Sequence, residues 1–299
     1  MKELSTKTAS IASGRSELFQ KVRDYQQLVK LRLNLTVVFS SLMAYLIGAS
    51  GPIDWIALLV LALGGFLVTG AANTLNQVLE SEFDANMKRT ADRPLAAGRM
   101  KSSEAVMAAG MMSMFGITLL ALFNPWTAFF GTLALVLYAF LYTPMKRISP
   151  LAVTIGAVPG ALPTLIGVVA AQGTITTLGI TLFFIQFLWQ FPHFWSIGWL
   201  GFEDYKKAGY KIMPERNGQQ DPNIAFQALL YALFLIPVSF VPFYLGETGI
   251  VSMISLLVLS VLYAVFAFIF YKKQNRKAAL GLMFYSFCYI PFGLIVLFL

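Results

Sequence analysis

Asn76, Glu80 and Asp84 stand four residues apart at the end of an apolar segment, and the chain then runs on through Lys88, Arg89 and Arg93-Pro94. On a helix this spacing puts the amide and both carboxylates on one side. At a rise of about 1.5 Å per residue the row extends roughly 12 Å. That is too long for one closed metal cage but suits ions shared with an extended anionic substrate. Oxygen donors of this kind suit Mg²⁺, which keeps several waters and completes its shell from substrate phosphate. The basic residues that follow can meet the remaining phosphate oxygens, arginine with a fork that takes two at once. From the residues alone three readings stand open: a phosphate or diphosphate ester site, an ion or proton relay in a transporter, and plain interfacial charge. Glu82 lies about 200° off the row and reads as solvated or paired. Asn73, one turn before Asn76, either extends the row or makes a hydrogen bond inside the helix.

Two further stretches carry polar groups at comparable depth. Tyr142-Thr-Pro-Met-Lys146-Arg147 offers a tyrosine, a helix-ending proline and two adjacent cations as a second edge for an anion. Trp189-Gln-Phe-Pro192-His193-Phe194-Trp195 holds the single histidine of the chain beside a proline and leads to Glu203-Asp204-Tyr205. One histidine excludes a haem permanently held between two histidines. His193 reads either as a hydrogen-bonded residue wedged in a proline kink or as a substrate contact or general base. Asp204 is the candidate ligand for a second Mg²⁺, with Glu203 its solvated neighbour. The small residues and prolines from Pro159 to Pro163, with Gly167, allow either close helix packing or lateral space for a long apolar ligand.

The elements that must position these groups are membrane helices. The chain has 299 residues, 58% of them hydrophobic and only 12% charged, about half the charge usual for soluble domains. With a mean hydropathy of +0.70 it reads as all-α, a polytopic membrane protein. Apolar runs predict nine transmembrane helices at about 33–50, 55–79, 104–123, 125–143, 151–171, 177–199, 226–246, 248–271 and 279–298. In that arrangement every one of the 22 lysines and arginines falls on one side. An error in the number of spans would scatter them. The positive-inside rule then places the N-terminus in the cytoplasm and the C-terminus outside. Residues 1–32 read as a polar tail leading into a surface helix near 17–30, and 33–299 as the membrane domain. The long polar loops 80–103 and 200–225 follow the second and sixth spans, so they are expected to face one another across the bundle. Lys272, Lys273, Arg276 and Lys277 read as orientation signals only. The lone Cys288 excludes an internal disulfide.

Asn76-x-x-x-Glu80-x-x-x-Asp84 with Lys88-Arg89-Thr90 and Arg93-Pro94-Leu95 resembles the first signature of the intramembrane UbiA-type prenyltransferase superfamily. The stretches around Tyr142, Trp189 to Trp195 and Glu203-Asp204-Tyr205, with Gly209 and Pro214, are similar to its haem-farnesylating branch. The resemblance covers roughly residues 20 to 298. It implies a nine-helix bundle in the bacterial cytoplasmic membrane that transfers farnesyl from farnesyl diphosphate to the 2-vinyl group of protohaem IX, with addition of water. It implies Mg²⁺ at Asn76, Glu80, Asp84 and Asp204, and diphosphate neutralised by Lys88, Arg89, Arg93, Tyr142, Lys146 and Arg147. Haem contact would fall to His193 and Trp195. A haem A synthase acting downstream is a candidate partner; nucleic acid is not. Quinone-precursor prenyltransferases carry several aspartates in the second acidic signature. Here Asp204 matches the last of them, while His193 stands near the first. A prenyltransferase for a quinone precursor and an ion-coupled transporter are the rival readings.

Overall fold

The computed structural model describes residues 17–299; the tail expected over the first 15 or so residues lies outside them. Helix α1 is described over 17–28. It is followed by α2 (Leu31–Gly48), α3 (Trp55–Asp84), α4 (Ser102–Ala121), α5 (Pro125–Val136) and a wide turn over Leu137–Tyr142 that leads into the short α6 (Thr143–Met145). Then come α7 (Ala152–Gln172), α8 (Thr177–Leu200), the short α9 (Phe202–Lys207), a two-residue hairpin of β1 (Glu215–Arg216) and β2 (Gln219–Gln220), α10 (Asn223–Val238), α11 (Val241–Tyr244), α12 (Ile250–Lys273) and α13 (Arg276–Phe298). Side chains before the helices fix several starts. Asp54 accepts from the amides of Ile56 and Ala57 at 2.9 and 3.0 Å, and Asn124, ahead of Pro125, accepts from that of Thr127. These are donors the helix itself leaves unpaired.

Eight helices are, among the described residues, long and apolar enough to cross a membrane, one fewer than the sequence reading expects. The remaining expected span, 177–199, is present as α8, a continuous helix packed on α7, α10 and α13. Gln186, Trp189, Gln190, Pro192 and His193 lower its hydropathy. Their positions inside the bundle explain how so polar a helix is accommodated, because Gln186, Gln190 and Pro192 are buried. Elsewhere the polarity is arranged as a bilayer requires. Phe115, Phe129, Phe184 and Phe268 face outward, while Ser260, Ser286 and Thr164 are inside. The chain is an integral membrane protein.

Helix α7 is the hub. Of its most apolar stretch 78% is buried, against 22 to 44% for the other spans, and it contributes to both large apolar cores. One core joins it to α3, α4 and α5, the other to α8, α10, α12 and α13. Close approach depends on small residues. A Cβ on Gly167 would lie 2.1 Å from the Ser41 carbonyl of α2, and one on Gly160 would lie 2.1 Å from Oε1 of Gln190. Pro159 and Pro163 remove backbone donors from α7. Across the interface, Gln190 donates to the carbonyl of Ala157 and Gln186 to that of Gly160, both at 3.0 Å. This stretch is closely packed against α2 and α8.

Candidate functional site

Helix α3 runs unbroken through the apolar stretch to Asp84, so Asn76, Glu80 and Asp84 share one continuous helical face. All three are buried, none more than 3% exposed. Buried carboxylates require partners, and each member of the row is met by one cation from a different segment. The Lys30 ammonium donates to Oδ1 of Asn76 at 2.7 Å. Lys146 donates to Oε1 of Glu80 at 2.7 Å, and Arg93 to Oδ2 of Asp84 at 2.6 Å. The second oxygens of Glu80 and Asp84 have no hydrogen-bond partner among the described residues.

The supports of these groups explain the arrangement. Helix α1 ends against α3, where Gln77 donates to the carbonyls of Gln27 and Leu28 at 2.9 and 2.7 Å and Asn73 to that of Val29 at 3.2 Å. Asn73 thus satisfies the end of a neighbouring helix and does not extend the row. Lys30 then takes a left-handed backbone conformation, φ 50°, which turns its side chain to Asn76. Burial, with Arg93 and Lys146 nearby, pushes the Lys30 ammonium down to about 7 against the pull of Glu80 and Asp84. On the other side, the wide turn Leu137–Tyr142 interrupts regular α-helix ahead of Pro144. Such insertions recur at functional sites. Here the turn presents Tyr138, 3.5 Å from the Lys30 ammonium, and Thr143, which accepts from Nδ2 of Asn76 at 3.0 Å and donates to the Tyr138 carbonyl. Tyr142 lies beneath the Lys146 ammonium, 4.6 Å from ring centre to nitrogen.

The two long loops meet over this row, as their positions in the sequence imply. Arg89 donates to the Tyr205 hydroxyl at 3.1 Å, and Met87, Ala208 and Tyr210 form a small shared core. Tyr205 raises the pKa of Arg89, with smaller contributions from Asp204 and Asp84. Burial raises that of Tyr210, and the charges of Glu80 and Asp84 add to it. Arg147 lies over the Phe83 ring, 3.9 Å from its centre, and donates to the Leu79 carbonyl. The amide of Lys211 donates to the carbonyl of Lys146 at 2.8 Å, tying the Tyr142 segment to the second loop. Tyr205 and Tyr210 also line a surface cavity of about 290 Å³ with Ile148, Phe202, Lys206 and Lys211.

Of the residues singled out from sequence, Asn76, Glu80, Asp84, Arg93, Tyr142 and Lys146 form one connected cluster, and Arg89 and Arg147 lie at its rim. Lys88 and Asp204 are exposed. Among the described residues Asp204 makes no ion pair, and no group of three acidic, histidine or cysteine side chains capable of holding a metal forms. His193 and Trp195 do not share a face. Two helical steps separate their side chains by about 200°. His193 contacts α13, whereas Trp195 is 3% exposed within the core, its indole nitrogen without a partner. Lys30, Thr143 and Tyr138 were not singled out as site residues. Lys30 was visible only as one cation among seven in the N-terminal stretch.

The model of the UbiA prenyltransferase family matches residues 37–288. The chain is 43% identical over 274 residues to a protoheme IX farnesyltransferase of Christiangramia forsetii, covering 89% of each chain. It is 42% identical to one of Cytophaga hutchinsonii, covering 89% of this chain and 93% of that one. Among solved structures, one from work on digeranylgeranylglyceryl phosphate synthase in membranes superposes with a TM-score of 0.79 at 20% identity over 93% of this chain and 98% of that one. A UbiA homologue from Archaeoglobus fulgidus bound to GPP and Mg²⁺ gives 0.66 at 14% identity, over 92% and 99%. At these identities the two structures speak to the fold alone.

Proposed function

Because the chain belongs to the UbiA prenyltransferase family, we infer that it transfers a farnesyl group from farnesyl diphosphate to the 2-vinyl group of protohaem IX, with addition of water, giving haem O and diphosphate. The observation that carries this reading is the row on α3. An amide and two carboxylates, each met by a separate cation, form a polar mouth at the end of an otherwise apolar bundle. The substrate pair follows the named relatives, which resemble this chain over about nine-tenths of its length.

The donor set fits Mg²⁺. Asn76, Glu80 and Asp84 each present side-chain oxygen along one helical face, and the second carboxylate oxygens have no partner among the described residues. Asn76, Glu80 and Asp84 would hold the ion, which when bound would neutralise diphosphate charge. Asp204 is a further candidate from the opposite loop. Lys30, Arg93 and Lys146 are placed to move from the row to phosphate oxygens, with Lys88, Arg89, Arg147 and Tyr142 at the rim. As the farnesyl C1–O bond breaks, its electron pair leaves with diphosphate, where these cations stabilise the growing charge. The vinyl π-electrons form the new C–C bond to farnesyl C1. Water then adds to the resulting carbocation next to the porphyrin and loses a proton, leaving the hydroxyl. The apolar bundle keeps water from the farnesyl cation until the C–C bond has formed.

The nine-span reading of the sequence, which puts all 22 lysines and arginines on one side, supports a cytoplasmic mouth, with the N-terminus on the same side and the C-terminus outside. A haem A synthase that takes the product onward is consistent with this chemistry. The test is to incubate the purified protein in lipid nanodiscs with ferrous protohaem, farnesyl diphosphate and Mg²⁺, followed by mass spectrometry. The expected product is haem heavier by a farnesyl and a hydroxyl group. Unchanged haem with prenylation of an added aromatic quinone precursor would overturn the assignment of the acceptor. Flux of an ion without any product would overturn the enzyme reading altogether.

A further inference from the structure

His193 is held by α13 in a way that determines which of its ring nitrogens carries the proton. Nδ1 lies 2.7 Å from the Ser286 hydroxyl oxygen, and that hydroxyl lies 2.5 Å from the carbonyl of Met283. A serine hydroxyl has one hydrogen. If it went to His193, two oxygens would face each other at 2.5 Å with no proton between them. The arrangement that satisfies both contacts has Ser286 donating to Met283 and Nδ1–H of His193 donating to Ser286. The lone pair of the neutral ring is then on Nε2.

The plane of the ring is fixed as well. Trp189, one turn earlier on α8, stacks on the imidazole at 4.8 Å between centres and 17° between planes. Its indole nitrogen donates to the backbone carbonyl of the same Ser286 at 2.9 Å. Two side chains of α8 are thus anchored to one residue of α13. Tyr263 of α12 secures this from behind, its hydroxyl donating to the Trp189 carbonyl at 3.0 Å. Nε2 has no hydrogen-bond partner among the described residues, and the His193 side chain is only partly buried, unlike that of Trp195. Its neighbour on α13 is Phe287, 5.2 Å away, which is exposed toward the outside of the bundle.

We propose that Ser286 is a positioning residue that, with Trp189, holds His193 in the Nδ1–H form so that the Nε2 lone pair faces the α8–α13 surface and binds the iron of the haem substrate. Metal-bound histidines characteristically donate their other nitrogen to an oxygen in this way, and loss of that partner lowers metal affinity about 10- to 100-fold. The proposal rests on the reading that haem is the acceptor and His193 its contact.

Titrating the intact protein in nanodiscs with ferric protohaem, followed by visible absorption and electron paramagnetic resonance, tests both layers. The unaltered protein is expected to show an imidazole-ligated iron, and His193→Ala to lose that signature. Ser286→Ala should weaken haem binding about 10-fold or more and change the ligand-field signature, while Ser286→Thr, which keeps the hydroxyl, restores both. Trp189→Phe keeps the stacking but loses the indole donor, and should fall between. Elution profile and thermal midpoint report separately that each variant is folded. If His193→Ala retains the signature, the haem-contact reading fails. If His193→Ala loses it but Ser286→Ala binds haem with unchanged affinity and spectrum, that reading stands and the role given to Ser286 is refuted.

Discussion

The pairing of Lys146 with Glu80 separates what a charged pair does for the fold from what it does for the reaction. Their atoms lie 2.7 Å apart, with the side chains only 13% and 4% exposed. Removing one partner of a buried pair leaves the other uncompensated and typically costs about 3–5 kcal/mol. Glu80→Gln keeps an oxygen that can still accept from the Lys146 ammonium, so its cost is expected at the low end, about 3 kcal/mol. Lys146→Met leaves a bare carboxylate beneath the loops and falls at the high end. In the double variant no charge is left unmatched, and stability should return to within about 1 kcal/mol of the parent, an interaction energy well above the additivity error of unrelated sites.

Activity is expected to behave in the opposite way. Glu80 would lose a charged oxygen toward Mg²⁺ and Lys146 a charge toward diphosphate, and each single loss should lower the rate of farnesyl transfer by about 10² to 10³. The double variant lacks both and should be no faster than the slower single. Thermal midpoints of the nanodisc-embedded protein and haem O formation under single-turnover conditions give the two readings on the same samples. Recovery of turnover together with stability would refute the reasoning, because the pair would then serve the fold alone.

Four further outcomes follow from the geometry. Asp84→Asn should abolish transfer while leaving membrane insertion intact, since Arg93 can still donate to the amide oxygen; full activity of the purified variant would remove Asp84 from the site. Lys30→Met should raise the KM for farnesyl diphosphate about 10-fold or more, as expected for loss of a charged contact of about 1.5–3 kcal/mol. The same change should stabilise the substrate-free protein. With the native ammonium held near 7, its burial costs stability in full below that pH, and the cost fades as pH rises toward its ordinary value of 10.5. The variant's higher thermal midpoint should therefore be evident at about pH 6 and shrink by about pH 9. Tyr205→Phe removes the acceptor for Arg89 and should loosen the contact between the two loops, seen as faster amide exchange over residues 85–92 with an unchanged bundle. Gly167→Ala places a methyl group 2.1 Å from a backbone carbonyl of α2. It must push α2 and α7 away from each other, so a fall in stability of about 1–3 kcal/mol is expected.

The legible features of the site were those written in periodicity. Asn76, Glu80 and Asp84 recur every four residues, and α3 stays helical to the last of them, so one face carries all three. The meeting of the two loops through Arg89 and Tyr205 follows from a count of apolar runs. Lys30 was not legible, because its direction depends on α1 ending against Asn73 and Gln77 of α3, a contact between segments more than forty residues apart. Tyr138 was hidden in the wide turn and Thr143 at the start of α6 just after it, a segment with no simple sequence mark beyond Pro144. Two signals were present and not used. Asn217-Gly218, at φ 54° and 80°, is a turn pair of the tight hairpin type and joins the two short strands. The two-residue step from His193 to Trp195 already places them on opposite sides of one helix.

The way the cations are matched to the row suggests how such a site endures inside a membrane protein when no substrate is there. Two buried carboxylates side by side repel each other and are costly to bury without partners. Lys146 and Arg93 meet that need by ion pairing, while Lys30 takes the neutral Asn76, so that in its protonated form it brings positive charge beyond what the row cancels. An entering diphosphate finds that surplus as attraction. Were it to arrive with a divalent ion, the carboxylates would gain a stronger partner than an ammonium or guanidinium, and the same three cations would be freed for phosphate oxygens. Recognition and activation would then be one exchange of partners in place of two separate sets of contacts. It would also explain why the cations come from three different segments, since each must move without carrying the others along.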